Sequence, residues 1–141
     1  MGWDDFLEVR QRAQALQEFQ AHPDFSSLAI GCKRALNILK GIPASEAEKV
    51  DVALLQEGQE RSLYEEVVGK ETRLEQLFLE KGYSDYLLHL AQLRPTIDAF
   101  FDKVLVMSPE EKIRNNRLAL LFQLTSFFNR FALFSKFDSL V

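Results

Sequence analysis

The stretch "MSPEEKIRNNRLALLFQLTSFFNRF", residues 107–131, predicts a long amphipathic helix and decides the fold class. At 3.6 residues per turn, its apolar side chains fall on one face of that helix. Continued toward the end of the chain, this face holds Ile113, Leu120, Leu121, Leu124, Phe127, Phe128, Phe131 and Phe134. Ser108, Pro109 and Glu111 have the spacing of a capping box with proline in the first turn. We therefore expect the helix to begin at Ser108.

The rest of the chain shows the same helical periodicity. We predict further helices at residues 3–20, 25–39, 57–81 and 84–104. Pro23, Gly41 and Gly82 separate them and Pro95 interrupts the last, because proline and glycine end helices at such positions. No segment alternates between apolar and polar residues for long, which argues against strands. The sequence therefore predicts an all-α antiparallel bundle of about five to six helices, in one domain spanning residues 1–141.

Composition limits the class of protein. Cys32 is the only cysteine, so an internal disulfide is excluded and we expect a buried thiol. No apolar run resembles a signal sequence or a membrane span, so we expect a cytoplasmic protein without a membrane partner. The first helix begins near Trp3 without an N-capping residue. This start predicts that the chain is the end of a longer protein.

Charge is segregated along the chain. The net charge is −4, which taken alone argues mildly against nucleic acid as a partner. Residues 44–80 carry a net −6, whereas residues 25–40 carry +3 and residues 112–141 carry +4. Two basic stretches are therefore available to contact an anion.

The sequence contains no motif for catalysis or metal binding. His22, His89 and Cys32 lack metal-ligand spacing, and there is no phosphate-binding loop or nucleophile elbow. Asp98 and Asp102 have the spacing of a possible acid–base pair, but an ion-paired or solvated helix flank is the commoner outcome. We predict neither a catalytic residue nor a metal site.

The Arg-Asn-Asn-Arg sequence at residues 114–117 interrupts the apolar stripe of the last helix. Arg117 falls on the apolar face, where a charge needs a partner. If the preceding helix folds back antiparallel, Asp98 lies at a similar depth, so we predict an Asp98–Arg117 ion pair. This structural role is favoured over ligand contact for Arg117. Arg114 and Asn115 are left to meet a ligand.

A second polar ridge follows residues 33–40. Lys33, Asn37 and Lys40 succeed one another at steps of four and three, with Arg34 further round the helix. A solvated face is the commoner interpretation of such a cluster. The alternative is an RNA site, in which cations contact phosphates and Asn or Arg reads unstacked bases.

Three segments carry a resemblance to a known family. They are "KRALNIL" at residues 33–39, "YSDYLLHLAQLRPTIDAFFDKVLVM" at 83–107 and "IRNNRLALL" at 113–121. In this order and spacing they resemble the C-terminal anticodon-binding domain, of the DALR type, of the β subunit of bacterial two-subunit glycyl-tRNA synthetase. The similarity runs from about Asp4 to the C-terminus.

The resemblance implies a helical domain that binds the anticodon end of glycine tRNA. In such a synthetase, ATP and glycine bind the α subunit, so this domain would need no cofactor and would not aminoacylate tRNA by itself. The remainder of the β subunit, the α subunit and glycine tRNA are the implied partners. RNA-binding candidates are Lys33, Arg34, Asn37, Lys40, Arg114 and Asn115. Leu133 stands where the family usually has an acidic residue, which puts a local ion pair of Arg130 in doubt.

A protein-docking module without RNA contact is the alternative function. Six of the twelve phenylalanines fall between Phe122 and Phe137, and such a helix packs between neighbours or docks on a partner. Phe122 and Phe137 lie off the main stripe and are candidates for base stacking, although packing against a flanking helix is commoner. Salt distinguishes the two functions, because only RNA binding by several cations weakens steeply with salt.

Overall fold

A computed structural model describes residues 3–43 and 49–130 of the chain, with side chains from Phe6 onward. These residues form α1 (Trp3–Phe19), α2 (Phe25–Leu39), α3 (Gly58–Leu79), α4 (Tyr83–Ala91), α5 (Arg94–Lys103) and α6 (Glu111–Asn129). A 3₁₀ turn, Val52–Leu54, lies between α2 and α3. The described residues contain no strand, which confirms the all-α prediction. The sequence also offers Ser45 as the start of a short helix, and Ser45 lies outside the described residues.

The helices pack around one apolar core. α1 packs on α4, α2 packs on α5 and α6, and α3 packs on α4, α5 and α6. A single cluster of buried side chains joins all of these helices, with Leu16, Leu28, Leu63, Leu87, Ile97 and Leu120 among its members. Burying each such side chain contributes about 1.5–3 kcal/mol. Cys32 belongs to this core, as predicted.

Some helix ends follow the predicted signals and others differ from them. Gly41 adopts φ +83° just after α2, as expected for a glycine that ends a helix. After α3, however, Lys81 takes the left-handed conformation, with φ +61°. The Gly82 amide then donates to the Leu77 carbonyl at 2.8 Å, which closes the helix end. The chain turns at Lys81 and Gly82 after α3, so α4 begins at Tyr83 rather than at the predicted Ser84.

The start of α6 differs from the prediction. The helix begins at Glu111 rather than at Ser108, whose hydroxyl accepts a bond from the Glu110 amide at 3.3 Å in a turn. The predicted capping box at Ser108 is therefore wrong. Arg114 Nη1 donates to the Ser108 carbonyl at 3.2 Å. This hydrogen bond holds Ser108 in the loop that precedes α6. A capping box occurs instead at α3, between Glu57 and Glu60.

Arg117 is buried and paired, as predicted, but its partner is different. It is 5% exposed, and its Nη2 lies 2.8 Å from Glu60 Oε1. Asp98 pairs with Arg94 at 3.0 Å, one turn away on α5. The predicted Asp98–Arg117 pair is wrong because α6 packs on α2 and α3 rather than folding back along α5.

Replacing Arg117 by leucine is expected to lower the free energy of unfolding by about 3–5 kcal/mol, because Glu60 would be left as an unpaired buried charge. Urea denaturation followed by circular dichroism measures this loss. Asp98→Asn is the matched control and should change the free energy of unfolding by less than about 0.5 kcal/mol, because it removes only a partly exposed pair within α5. Equal losses from both substitutions would contradict the assigned pairing.

His89 makes stability depend on pH. Burial, and then the positive charges of Lys70 and Arg73, lower the pKa of His89 below 6.5. The unfolded chain therefore binds a proton at a higher pH than the folded chain, and stability is lost as pH falls below about 6.5. His89→Gln should reduce the drop in urea midpoint between pH 7.5 and pH 5.5. An identical drop in both proteins would show that other groups cause it.

Candidate nucleic-acid interface

The solvent-facing side of α2 carries an open groove. Lys33, Arg34 and Asn37 line it together with Ile30 and Ile38, around a volume of about 540 Å³. The structure thus brings together three of the residues predicted to bind RNA. Lys40 is exposed just beyond the end of α2 and does not line this groove.

The opposite side of α2 explains why these polar residues face outward. That side is buried in the core through Phe25, Leu28, Ala29, Cys32, Ala35 and Leu39. A helix has only one orientation that buries such a stripe, and its other face must then meet water. The apolar pattern of α2 therefore fixes the direction in which Lys33, Arg34 and Asn37 point.

Arg34 is oriented by an aromatic ring of α5. Its guanidinium carbon lies 4.6 Å from the centre of the Phe101 ring, a cation–π contact. Phe101 itself is buried, so the ring is a fixed support. Because this contact uses the face of the guanidinium, its N–H donors stay available for phosphates or base edges.

Arg114 and Asn115 differ in their environment. Arg114 is half-buried and donates to the Ser108 carbonyl. It is therefore less free to meet a ligand than the sequence predicted. Asn115 is exposed. Arg34 and Arg114 each contact the chain between Phe101 and Ser108, which places a cation at either end of that segment.

Asn116 has a structural role that the sequence did not reveal. It is buried, its side-chain oxygen accepts from the Asp51 amide at 2.7 Å, and its side-chain nitrogen donates to the Asp51 carbonyl at 3.0 Å. The only signal was its place at the edge of the apolar face of the last helix. Asn116 ties the segment before α3 to α6.

The end of α6 is held by α3. Arg130 forms an ion pair with Glu75, and its guanidinium carbon lies 4.5 Å from the centre of the Phe78 ring. Glu75 is far from Arg130 in the sequence. Arg130 is therefore paired even though Leu133 stands where the family usually has an acidic residue. Phe122 is partly buried against the core, which confirms packing rather than a free stacking position. Phe137 lies outside the described residues.

The described residues hold no group of three histidine, cysteine or acidic side chains arranged to bind a metal. In the same part of the chain, no helix combines the length and apolar character needed to cross a membrane.

The sequence matches a family of tRNA-binding modules. The family model of the DALR anticodon binding domain matches residues 28–132, most of the chain. The chain belongs to this family. The match extends from α2 to the end of α6, so every RNA-binding candidate of the DALR domain lies inside it.

Curated relatives extend the similarity to nearly the whole chain. The glycine–tRNA ligase β subunit of Syntrophus aciditrophicus (strain SB) is 41% identical over 135 residues, covering 96% of this chain and 19% of the relative. The same subunit of Geobacter metallireducens is 39% identical over 136 residues, with the same coverage. That of Vibrio parahaemolyticus is 41% identical over 122 residues, covering 86% and 18%. The chain therefore spans about a fifth of the length of these relatives.

The neighbours Asn115 and Asn116 provide a matched test of the structural contact. Asn116→Ala should lower the free energy of unfolding by about 1–3 kcal/mol, because it removes both hydrogen bonds between the buried Asn116 side chain and the Asp51 backbone. Asn115→Ala, at an exposed position, should change it by less than about 0.5 kcal/mol. Chemical denaturation of both variants measures the difference. Equal stability of the two would contradict the role of Asn116.

Proposed function

We propose that this DALR domain binds the anticodon end of glycine tRNA as the C-terminal part of a glycyl-tRNA synthetase β subunit. The observation that carries the proposal is the family match over α2–α6, together with relatives that bear this subunit's name over nearly the whole chain. The complete cytoplasmic enzyme ligates glycine to its tRNA. In it, ATP and glycine bind the α subunit, while this domain grips tRNA and takes no part in the chemistry.

The α2 groove supports this function by its charge and its apolar surface. Lys33 and Arg34 are both exposed and adjacent in the sequence, and residues 25–40 contain no acidic residue. Ile30 and Ile38 add apolar surface to the same groove. Cations beside apolar surface suit single-stranded RNA, because cations meet phosphates while bases pack on apolar groups.

The genetic code adds a chemical requirement. All glycine codons begin with two guanines, so the anticodons share two cytosines. The Watson–Crick edge of cytosine offers one amino donor and two acceptors. Asn37 carries both an amide donor and a carbonyl acceptor, and it lies in the groove beside the donors Lys33 and Arg34. In this proposal, Asn37 accepts from the cytosine amino group while a cation donates to its acceptors.

The packing of α6 argues against the docking alternative. Its apolar side chains Leu124, Phe127 and Phe128 are buried within the domain. Within the described part of α6, the phenylalanine-rich face is thus already covered by the chain's own helices and is not presented to a partner.

Binding to glycine tRNA tests the proposal directly. The chain should bind glycine tRNA, weaken steeply between 50 and 200 mM salt, and lose most of its affinity when the two shared anticodon cytosines are replaced. Fluorescence anisotropy at both salt concentrations measures this. Equal affinity for both tRNAs would show that the domain contacts the RNA backbone without recognising the two cytosines. Absence of binding at low salt would favour the protein-docking function.

Single substitutions then locate the interface. Lys33→Ala should weaken binding and reduce the salt slope by about 0.7–0.9, as expected for loss of one phosphate contact. Arg73→Ala, on the acidic α3, is the control that removes an exposed cation elsewhere and should leave affinity unchanged. The same small effect from both variants would place the RNA away from α2.

A further inference from the structure

The loop between α5 and α6, residues 104–110, presents two large apolar side chains to solvent. Leu105 is 64% exposed and Met107 is 53% exposed, whereas Val104 and Val106 are buried. Val104 is extended and residues 106–107 form a turn, so the two buried valines anchor the loop while Leu105 and Met107 face solvent.

Two arginines fix the backbone of this loop. Arg117 Nη1 donates to the Leu105 carbonyl at 2.6 Å, and Arg114 Nη1 donates to the Ser108 carbonyl at 3.2 Å. Arg117 is in turn held by Glu60. The exposed pair is therefore carried on a segment fixed at both ends, and a partner would not have to order it on binding.

The loop lies close in sequence to Phe101, the residue whose ring supports Arg34 of the α2 groove. Phe101, whose ring carries Arg34, precedes Val104 by less than one helical turn. Lys103 is exposed immediately before the loop. The apolar pair therefore follows, along the chain, the residue that supports Arg34, one of the cations that we propose for RNA binding.

The size of the pair selects the ligand. A specific protein–protein interface buries about 800 Å² on each partner, far more than two side chains provide. One nucleobase has a flat apolar face that two side chains can cover. We propose that Leu105 and Met107 form a platform on which one unpaired base of the bound RNA packs, while the adjoining backbone contacts Lys33 and Arg34. This inference rests on the proposed RNA binding.

The experiment compares three proteins: the wild-type chain, Leu105→Ala/Met107→Ala, and the control Leu79→Ala, which truncates an exposed leucine on α3. Each is titrated with the anticodon stem-loop of glycine tRNA and with versions in which one loop nucleotide at a time lacks its base. The double variant should bind the intact stem-loop about tenfold more weakly, with an unchanged salt slope because no cation is removed. Leu79→Ala should bind like the wild type.

One abasic stem-loop should identify the packed base. The wild type should bind that abasic stem-loop about tenfold more weakly than the intact stem-loop. The double variant should bind the two stem-loops with nearly equal affinity. Thermal unfolding checks that all three proteins are folded.

Two outcomes would overturn the platform while leaving RNA binding in place. One is that the double variant binds the intact stem-loop as tightly as the wild type. The other is that the double variant binds every abasic stem-loop about tenfold more weakly than the wild type does. No RNA binding by the wild type would overturn both proposals.

Discussion

The buried ion pair between Arg117 and Glu60 is the contact on which the domain's interior arrangement depends. It joins the start of α3 to α6, and through the Leu105 carbonyl it also holds the loop between α5 and α6. Glu60 accepts from the Glu57 amide as well, so the same carboxylate caps α3. Buried charges are tolerated only with well-placed partners, and the contacts of Arg117 join all three of these elements. Asn116 adds a neighbouring contact to Asp51.

The core determines which residues are free to bind. Burial of the α2 stripe turns Lys33, Arg34 and Asn37 outward, and burial of Phe101 gives Arg34 a rigid support. The acids of α3 are partly engaged by other helices, as when Glu71 accepts from Gln123 and Glu75 pairs with Arg130. The domain therefore separates a basic, apolar-lined face from an acidic helix. This separation is consistent with the proposed binding of RNA to one side of the domain.

The candidate site was only partly predictable from the sequence. Helical spacing was enough to group Lys33, Arg34 and Asn37, because residues three and four apart share a face. Spacing could not show that Phe101 lies under Arg34, that Arg114 holds the Ser108 carbonyl, or that Asn116 binds Asp51. These contacts join residues from different elements, and helical periodicity does not specify which helices pack together.

Local sequence by itself determined which segments are helical and the buried faces of α2 and α6, though not the first residue of α6, because backbone propensity and apolar periodicity act within a few residues. It also required that Arg117 have a partner, since an unpaired charge cannot be buried. Only the tertiary structure decided that this partner is Glu60 rather than Asp98. The reason is that α6 packs against α3, whose first turn supplies a carboxylate far away in the chain but at the depth of Arg117.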